Sequence, residues 1–144
     1  MRASRLRLTV ILVAWILLLF PFKQTIAPEW TIHTLDANRR PLANITVREE
    51  WQQYSLENEG HEEDRLTDSV GRVQFPRRYL RSSIGQRLIG CLKQVMITGV
   101  HASCGANSYL VAFGKGVDTV DWADFRQEQG TTMPSQDSTL VLKH

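Results

Sequence analysis

Two cysteines in 144 residues are too few for a four-cysteine zinc site or a dense disulfide scaffold. The four histidines, His33, His61, His101 and His144, never fall at His-x-x-x-His or His-Glu-x-x-His spacing, which leaves no preformed zinc motif. There is no internal repeat or low-complexity block. From 144 residues a single domain is expected, neither a multidomain enzyme nor a polytopic transporter. Acidic residues are missing from two long stretches: none precedes Pro28, and none lies between Ser69 and Val117.

What is present is an ordinary globular composition, 42% hydrophobic and 22% charged. The net charge of +2 hides an uneven layout. Arg2, Arg5, Arg7 and Lys23 precede Pro28, and the remainder is slightly acidic. The basic balance therefore comes from the leader and gives no support to a nucleic-acid partner.

Leu8 to Phe22 is a run of apolar and weakly polar residues behind a basic tip. Its length matches a signal-peptide core or a short membrane anchor. A small-residue cleavage site exists at Thr25-Ile26-Ala27, but Pro28 after the cut suits signal peptidase badly. The expectation is a leader over residues 1–27 with a hydrophobic core at 8–22, and a folded domain over 28–144. An uncleaved single-pass anchor with the domain outside the cytoplasm is preferred over a removed signal peptide and a secreted or periplasmic product. The membrane is then a partner through the N-terminal segment.

From Trp30 onward, short runs punctuated by turn residues predict a mainly β fold, an antiparallel sandwich of about seven strands with one short helix. Strands are expected at 30–35, 44–51, 72–75, 95–100, 109–113 and 139–142. Turns are expected at 36–42 and 114–116, and exposed polar loops at 52–64 and 127–138. Glu49 falls on the inward parity of its strand, which predicts a bulge or departure from the core there. Asp68-Ser69-Val70-Gly71 reads as a hairpin turn, with the carboxylate capping and Gly71 supplying positive φ. Ser83 with Gln86 fits a capping box within 77–94, but Gly85 and Gly90 weaken the helix, so only a short one is expected. Asp121 to Phe125 reads as a helical turn.

Two stretches carry a family resemblance. Arg40-Pro41-Leu42-Ala43-Asn44-Ile45-Thr46-Val47 is similar to a Pro-Leu-x-Gly-Val-x-Val motif, with Asn44 where glycine is usual. Thr67-Asp68-Ser69-Val70-Gly71-Arg72-Val73-Gln74-Phe75 is similar to a Thr-Asp-x-x-Gly-x-Phe-x-Phe motif. Together they resemble the carboxypeptidase regulatory-like domain, a transthyretin-like (prealbumin-like) β-sandwich. The resemblance implies a fold that supports, tethers or binds, and it carries no catalytic residue. The related hydroxyisourate hydrolases end in Tyr-Arg-Gly-Ser, which the terminal Val141-Leu142-Lys143-His144 does not match.

Candidate sites follow from residue type and spacing. Cys91 and Cys104 can form a disulfide or remain two buried thiols; a bridge would contribute about 3 kcal/mol by closing that loop. Arg77, Arg78 and Arg81 form a possible patch for an anionic partner, with pairing to the acidic loop as the alternative. Trp122, Phe125 and Tyr109 form a possible ligand surface for a polysaccharide, since aromatic rings stack on sugar faces. Glu57, Glu59, Glu62, Glu63 and Asp64 crowd one loop but lack the ligand order of a calcium site. Ser103 lies in His101-Ala102-Ser103-Cys104-Gly105 without the first glycine of a nucleophile elbow. No acid, base and nucleophile form a constellation, so no catalytic residue, metal or cofactor is assigned. The expected function is a non-enzymatic interaction or structural role, with an envelope protein or polysaccharide as partner.

Overall fold

The computed structural model describes residues 2–114, 122–126 and 136–142, with side chains described outside 2–4, 122–126 and 136. The fold is mainly β. Helix α1 (Arg2–Leu19) leads into β1 (Phe22–Ala27), β2 (Trp30–Leu35), β3 (Thr46–Gln53), β4 (His61–Leu66), β5 (Arg72–Phe75) and β6 (Arg78–Ser82). Helix α2 (Ile84–Thr98) follows, with one 3-10 turn at Gly99–His101. Then come β7 (Ala106–Phe113), β8 (Trp122–Arg126) and β9 (Gln136–Val141).

The strands form three sheets among the described residues, in the orders β1-β6, β5-β2-β9 and β4-β3-β7-β8. Alternation along β2 turns Trp30, Ile32 and Thr34 inward. Thr34 is tolerated there because its hydroxyl donates to the Leu42 carbonyl at 2.7 Å. These side chains meet Val47, Leu110 and Ala112 from β3 and β7, and Val73, Phe75, Leu140 and Leu142 complete one buried cluster. Both larger sheets therefore contribute to the same core.

Several sequence expectations need correction. The run from Leu8 to Phe22 is not one helix: α1 stops at Leu19, and Phe22 opens β1, which pairs antiparallel with β6. The helix is not apolar throughout either, since Arg2, Arg5 and Arg7 occupy its first two turns. Its apolar part, Leu8 to Leu19, extends about 18 Å against a hydrocarbon core of about 30 Å. No helix among the described residues is long and apolar enough to cross a membrane, which overturns the transmembrane helix and the single-pass placement.

The strand expected at 95–100 is the end of α2 and the 3-10 turn. The expected helical turn at 121–125 is largely β8, paired antiparallel with β7. The supposed loop at 52–64 contains most of β4. Nine strands are present among the described residues instead of about seven, and β2 runs parallel to β9, so the sheets are not wholly antiparallel. The turn at 114–116 lies mostly outside the described residues, as does 127–135, while 136–138 belong to β9.

The turn at Asp68 to Gly71 forms as expected locally. Asp68 Oδ1 accepts from the backbone N–H of Val70 and Arg72 at 3.0 and 2.8 Å, and Gly71 has φ +72°. A Cβ at Gly71 would stand 2.7 Å from the Thr34 carbonyl oxygen. Its flanking strands do not pair with each other, however. β4 joins β3 and β5 joins β2, so the turn carries the chain from one sheet to the other. Asn44 takes the left-handed conformation at φ 58°, the geometry a glycine would otherwise supply.

Candidate functional site

The inner face of β3, β4 and β7 is apolar at one end and ionic at the other. Val47, Glu49, Trp51 and Gln53 share this face by parity. Glu49 is fully buried, and the β3–β4 register runs through it unbroken, so the expected bulge is absent. Its charge is met from another sheet instead. Arg78 at the start of β6 donates from Nε and Nη2 to Glu49 Oε2 at 3.1 and 3.0 Å. The same guanidinium pairs with Glu63, and Arg65 Nε donates to Glu63 Oε1 at 2.7 Å.

Burial pushes the Glu49 carboxyl up to about 7, against the lowering effect of Arg78. Glu63, hydrogen-bonded first by Arg78 and then by Arg65, is held below the usual carboxylate range. Arg78 also lies over the Trp51 ring at 4.3 Å, and His61 stacks on the same ring at 5.5 Å.

Beside this cluster, a small cleft of about 90 Å³ is lined by Glu50, Trp51, Gln52, Tyr54, Gly60, His61, Asn107 and Tyr109. The Tyr109 hydroxyl donates to Glu50, which raises the phenol to about 12. Asn107 Oδ1 is buried and has no hydrogen-bond partner among the described residues. Glu57 spans the loop, accepting from the Gln53 N–H at 2.6 Å and meeting His61 at 2.9 Å. The acidic loop is thus pinned by internal contacts, and no group of three His, Cys, Asp or Glu among the described residues could hold a metal ion.

The second feature lies at α1 and α2. Ser83 Oγ accepts from the Gln86 N–H at 3.1 Å, and Gln86 Oε1 accepts from the Ser83 N–H at 2.9 Å, which completes the capping box. The two glycines that argued for a short helix mark its contacts. Gly85 faces Leu18 of α1, where an added Cβ would meet the Leu18 carbonyl oxygen at 3.4 Å. At Gly90 a Cβ would stand 1.6 Å from the Ser55 carbonyl oxygen, so the loop backbone crosses the helix where only hydrogen fits. Cys91 is bonded to Cys104, and Gln94 Nε2 donates to the Tyr54 carbonyl at 2.8 Å.

The stripe of α2 turned toward the domain is therefore Arg87, Gly90, Cys91 and Gln94, while the apolar side chains face away. Ile89 is 72% exposed, Leu92 61% and Met96 79%. In α1, Val10, Ile11, Leu12 and Val13 are all exposed in succession, and steps of about 100° per residue carry four such positions around the whole helix.

The sequence-derived sites are distributed as follows. Cys91 and Cys104 form a disulfide. Arg78 is drawn into the ionic cluster, away from Arg77 and Arg81, so the three do not make one patch. Arg81 is exposed opposite Lys23, whose ammonium lies 3.7 Å from the centre of the Tyr79 ring. Tyr109 lines the cleft; Trp122 sits in register with Val111, and Phe125 with the buried Ser108. The side chains of Trp122 and Phe125 lie outside the described residues. Ser103 and His101 are exposed beyond α2. Neither the Glu49–Arg78 pairing nor the outward face of α2 is among the sequence expectations. Reading 84–98 as one unbroken helix would have exposed the second.

No family model and no curated protein matches the chain. Among solved structures it is similar to 3-chlorocatechol 1,2-dioxygenase from Rhodococcus opacus 1CP, at 15% identity and TM-score 0.47, covering 80% of this chain and 58% of that one. Catechol 1,2-dioxygenase from Pseudomonas arvilla C-1 is similar at 14% identity and TM-score 0.45, covering 81% and 52%. A 9R-lipoxygenase from Cyanothece PCC8801 is similar at 12% identity and TM-score 0.36, covering 83% and 16%. The chain spans little more than half the length of the two catechol dioxygenases.

Proposed function

We propose that this chain is a non-enzymatic interaction module, a transthyretin-like β-sandwich that docks through the outward face of α1 and α2. The single observation that carries this reading is the inverted placement of α2. Its polar and small residues are fastened to the domain, and its apolar residues are presented to the surroundings. Apolar surface of that extent is uncommon on an unpartnered domain and is the usual mark of a docking surface. The sandwich reading is supported by the one core that both larger sheets share. The non-enzymatic reading is supported by Glu49, whose buried Oε2 is taken by Arg78 and which does not line the cleft beside Tyr109.

The test is a double substitution, Ile89→Glu with Leu92→Glu. It should leave unfolding stability within about 0.5 kcal/mol, as exposed positions do, while weakening binding of a hydrophobic dye. Collapse of the fold would show that these side chains are internal and would remove the proposal. A polysaccharide-binding role is a second reading, favoured by the unpaired Asn107 Oδ1 in an aromatic-lined cleft. Titration with soluble glycans, compared between the parent and Tyr109→Ala, tests it, and equal responses would refute it.

A further inference from the structure

We propose that the occupant of the α1–α2 face is the anionic headgroup surface of a lipid bilayer, on which the two helices lie without crossing it. This rests on the docking reading above and names its partner. Three observations select that occupant. Apart from Leu18, which meets Gly85 of α2, the large apolar side chains of α1 from Leu8 to Leu19 are exposed, so one continuous apolar surface runs along the helix. The charges beside the apolar face have one sign. Arg5, Arg7 and Lys93 lie exposed on the helices, Lys23 and Arg81 lie on the adjoining sheet, and neither helix carries a carboxylate.

A second copy of the same face would set these cations against each other. An anionic surface takes them all. Third, Phe20 and Phe22 pack edge to face where α1 meets β1, near Lys23 and the exposed Tyr79. Aromatic rings beside basic groups are the side chains that settle at a headgroup boundary. With about 18 Å of apolar helix, α1 is suited to lie in the plane of that boundary, its arginines reaching the phosphates.

The test uses the full chain and vesicles of phosphatidylcholine alone or mixed with phosphatidylglycerol. Flotation should recover the protein with the anionic vesicles and not with the neutral ones, and salt should release part of it. Arg5→Gln and Arg7→Gln should each weaken binding about five-fold. Tryptophan emission should shift to shorter wavelength on vesicle addition, and Trp15→Phe, in the middle of α1, should remove most of that shift. Equal binding to both vesicle types overturns the proposal, as does a shift that survives Trp15→Phe.

Absence of vesicle binding also overturns it, and sedimentation then separates the two readings. Self-association lost in Ile89→Glu with Leu92→Glu would keep the docking face and assign it to a second copy. A monomer unaffected by those substitutions would end both.

Discussion

Replacing Glu49 by glutamine should change how stability depends on pH more than it changes stability itself. Burial lifts this carboxyl from 4.5 to about 7, while in the unfolded chain it keeps its ordinary value. The folded state therefore holds the proton more tightly. Stability from this group is fully present below about pH 4.5, declines as pH rises, and is lost above about pH 7. At 1.36 kcal/mol per pH unit the span corresponds to about 3 kcal/mol.

Arg78 limits the loss but does not cancel it, because it must also serve Glu63. Glutamine preserves the shape and one acceptor for Arg78, and it removes the titration. Urea unfolding midpoints at pH 5 and pH 8 make the measurement. The parent should be less stable at pH 8 than at pH 5 by about 2.5 kcal/mol through this carboxyl, and the difference between parent and Glu49→Gln should carry that slope whatever other groups titrate. Parallel profiles for the two proteins would refute the burial argument.

Three further outcomes follow from particular contacts. Gly90→Ala gains about 1 kcal/mol of helix propensity but drives a methyl into the Ser55 carbonyl, so a net loss of about 2 kcal/mol is expected in thermal unfolding. Reduction of Cys91–Cys104, or Cys104→Ser, should lower stability by about 3 kcal/mol and release the middle of α2, seen as faster amide exchange from Arg87 to Gln94. Asp68→Ala removes the acceptor for two turn N–H groups and should cost about 1–2 kcal/mol in denaturant unfolding without altering the β content by circular dichroism.

Local structure was legible wherever one residue type has one conformational use. Asp68 and Gly71 made a turn because a short carboxylate reaches two N–H groups and glycine accepts positive φ. Strand β2 was legible because Trp30, Ile32 and Thr34 alternate with outward residues. Pairing was not legible, since a turn of that kind serves a hairpin and a crossing between sheets equally well. Strand β4 was hidden for a different reason: its half-buried inward positions are Glu63 and Arg65, and charge read as exposure. The ionic cluster makes those positions habitable, and its organiser, Arg78, lies 29 residues from Glu49 in the chain. Nothing in either local stretch announces the other.

The α2 segment shows a more general limit. A periodic apolar pattern identifies a face, but it does not say whether that face turns toward the domain or away from it. The direction is set by what the neighbouring backbone accepts. Here the loop after β3 offers the carbonyls of Tyr54 and Ser55, and the chain before β7 offers Cys104. Those groups fit an amide, a bare glycine and a sulfur, and would leave Leu88 or Leu92 without an apolar neighbour. Orientation by fastening has an energetic consequence. Each large apolar side chain gains about 1.5–3 kcal/mol when covered, so covering several rivals the about 5–15 kcal/mol that holds a whole domain folded. Whatever occupies this face must therefore raise the unfolding temperature as well as bind, and the Ile89→Glu with Leu92→Glu substitution should abolish that rise while leaving the unbound protein's own transition in place.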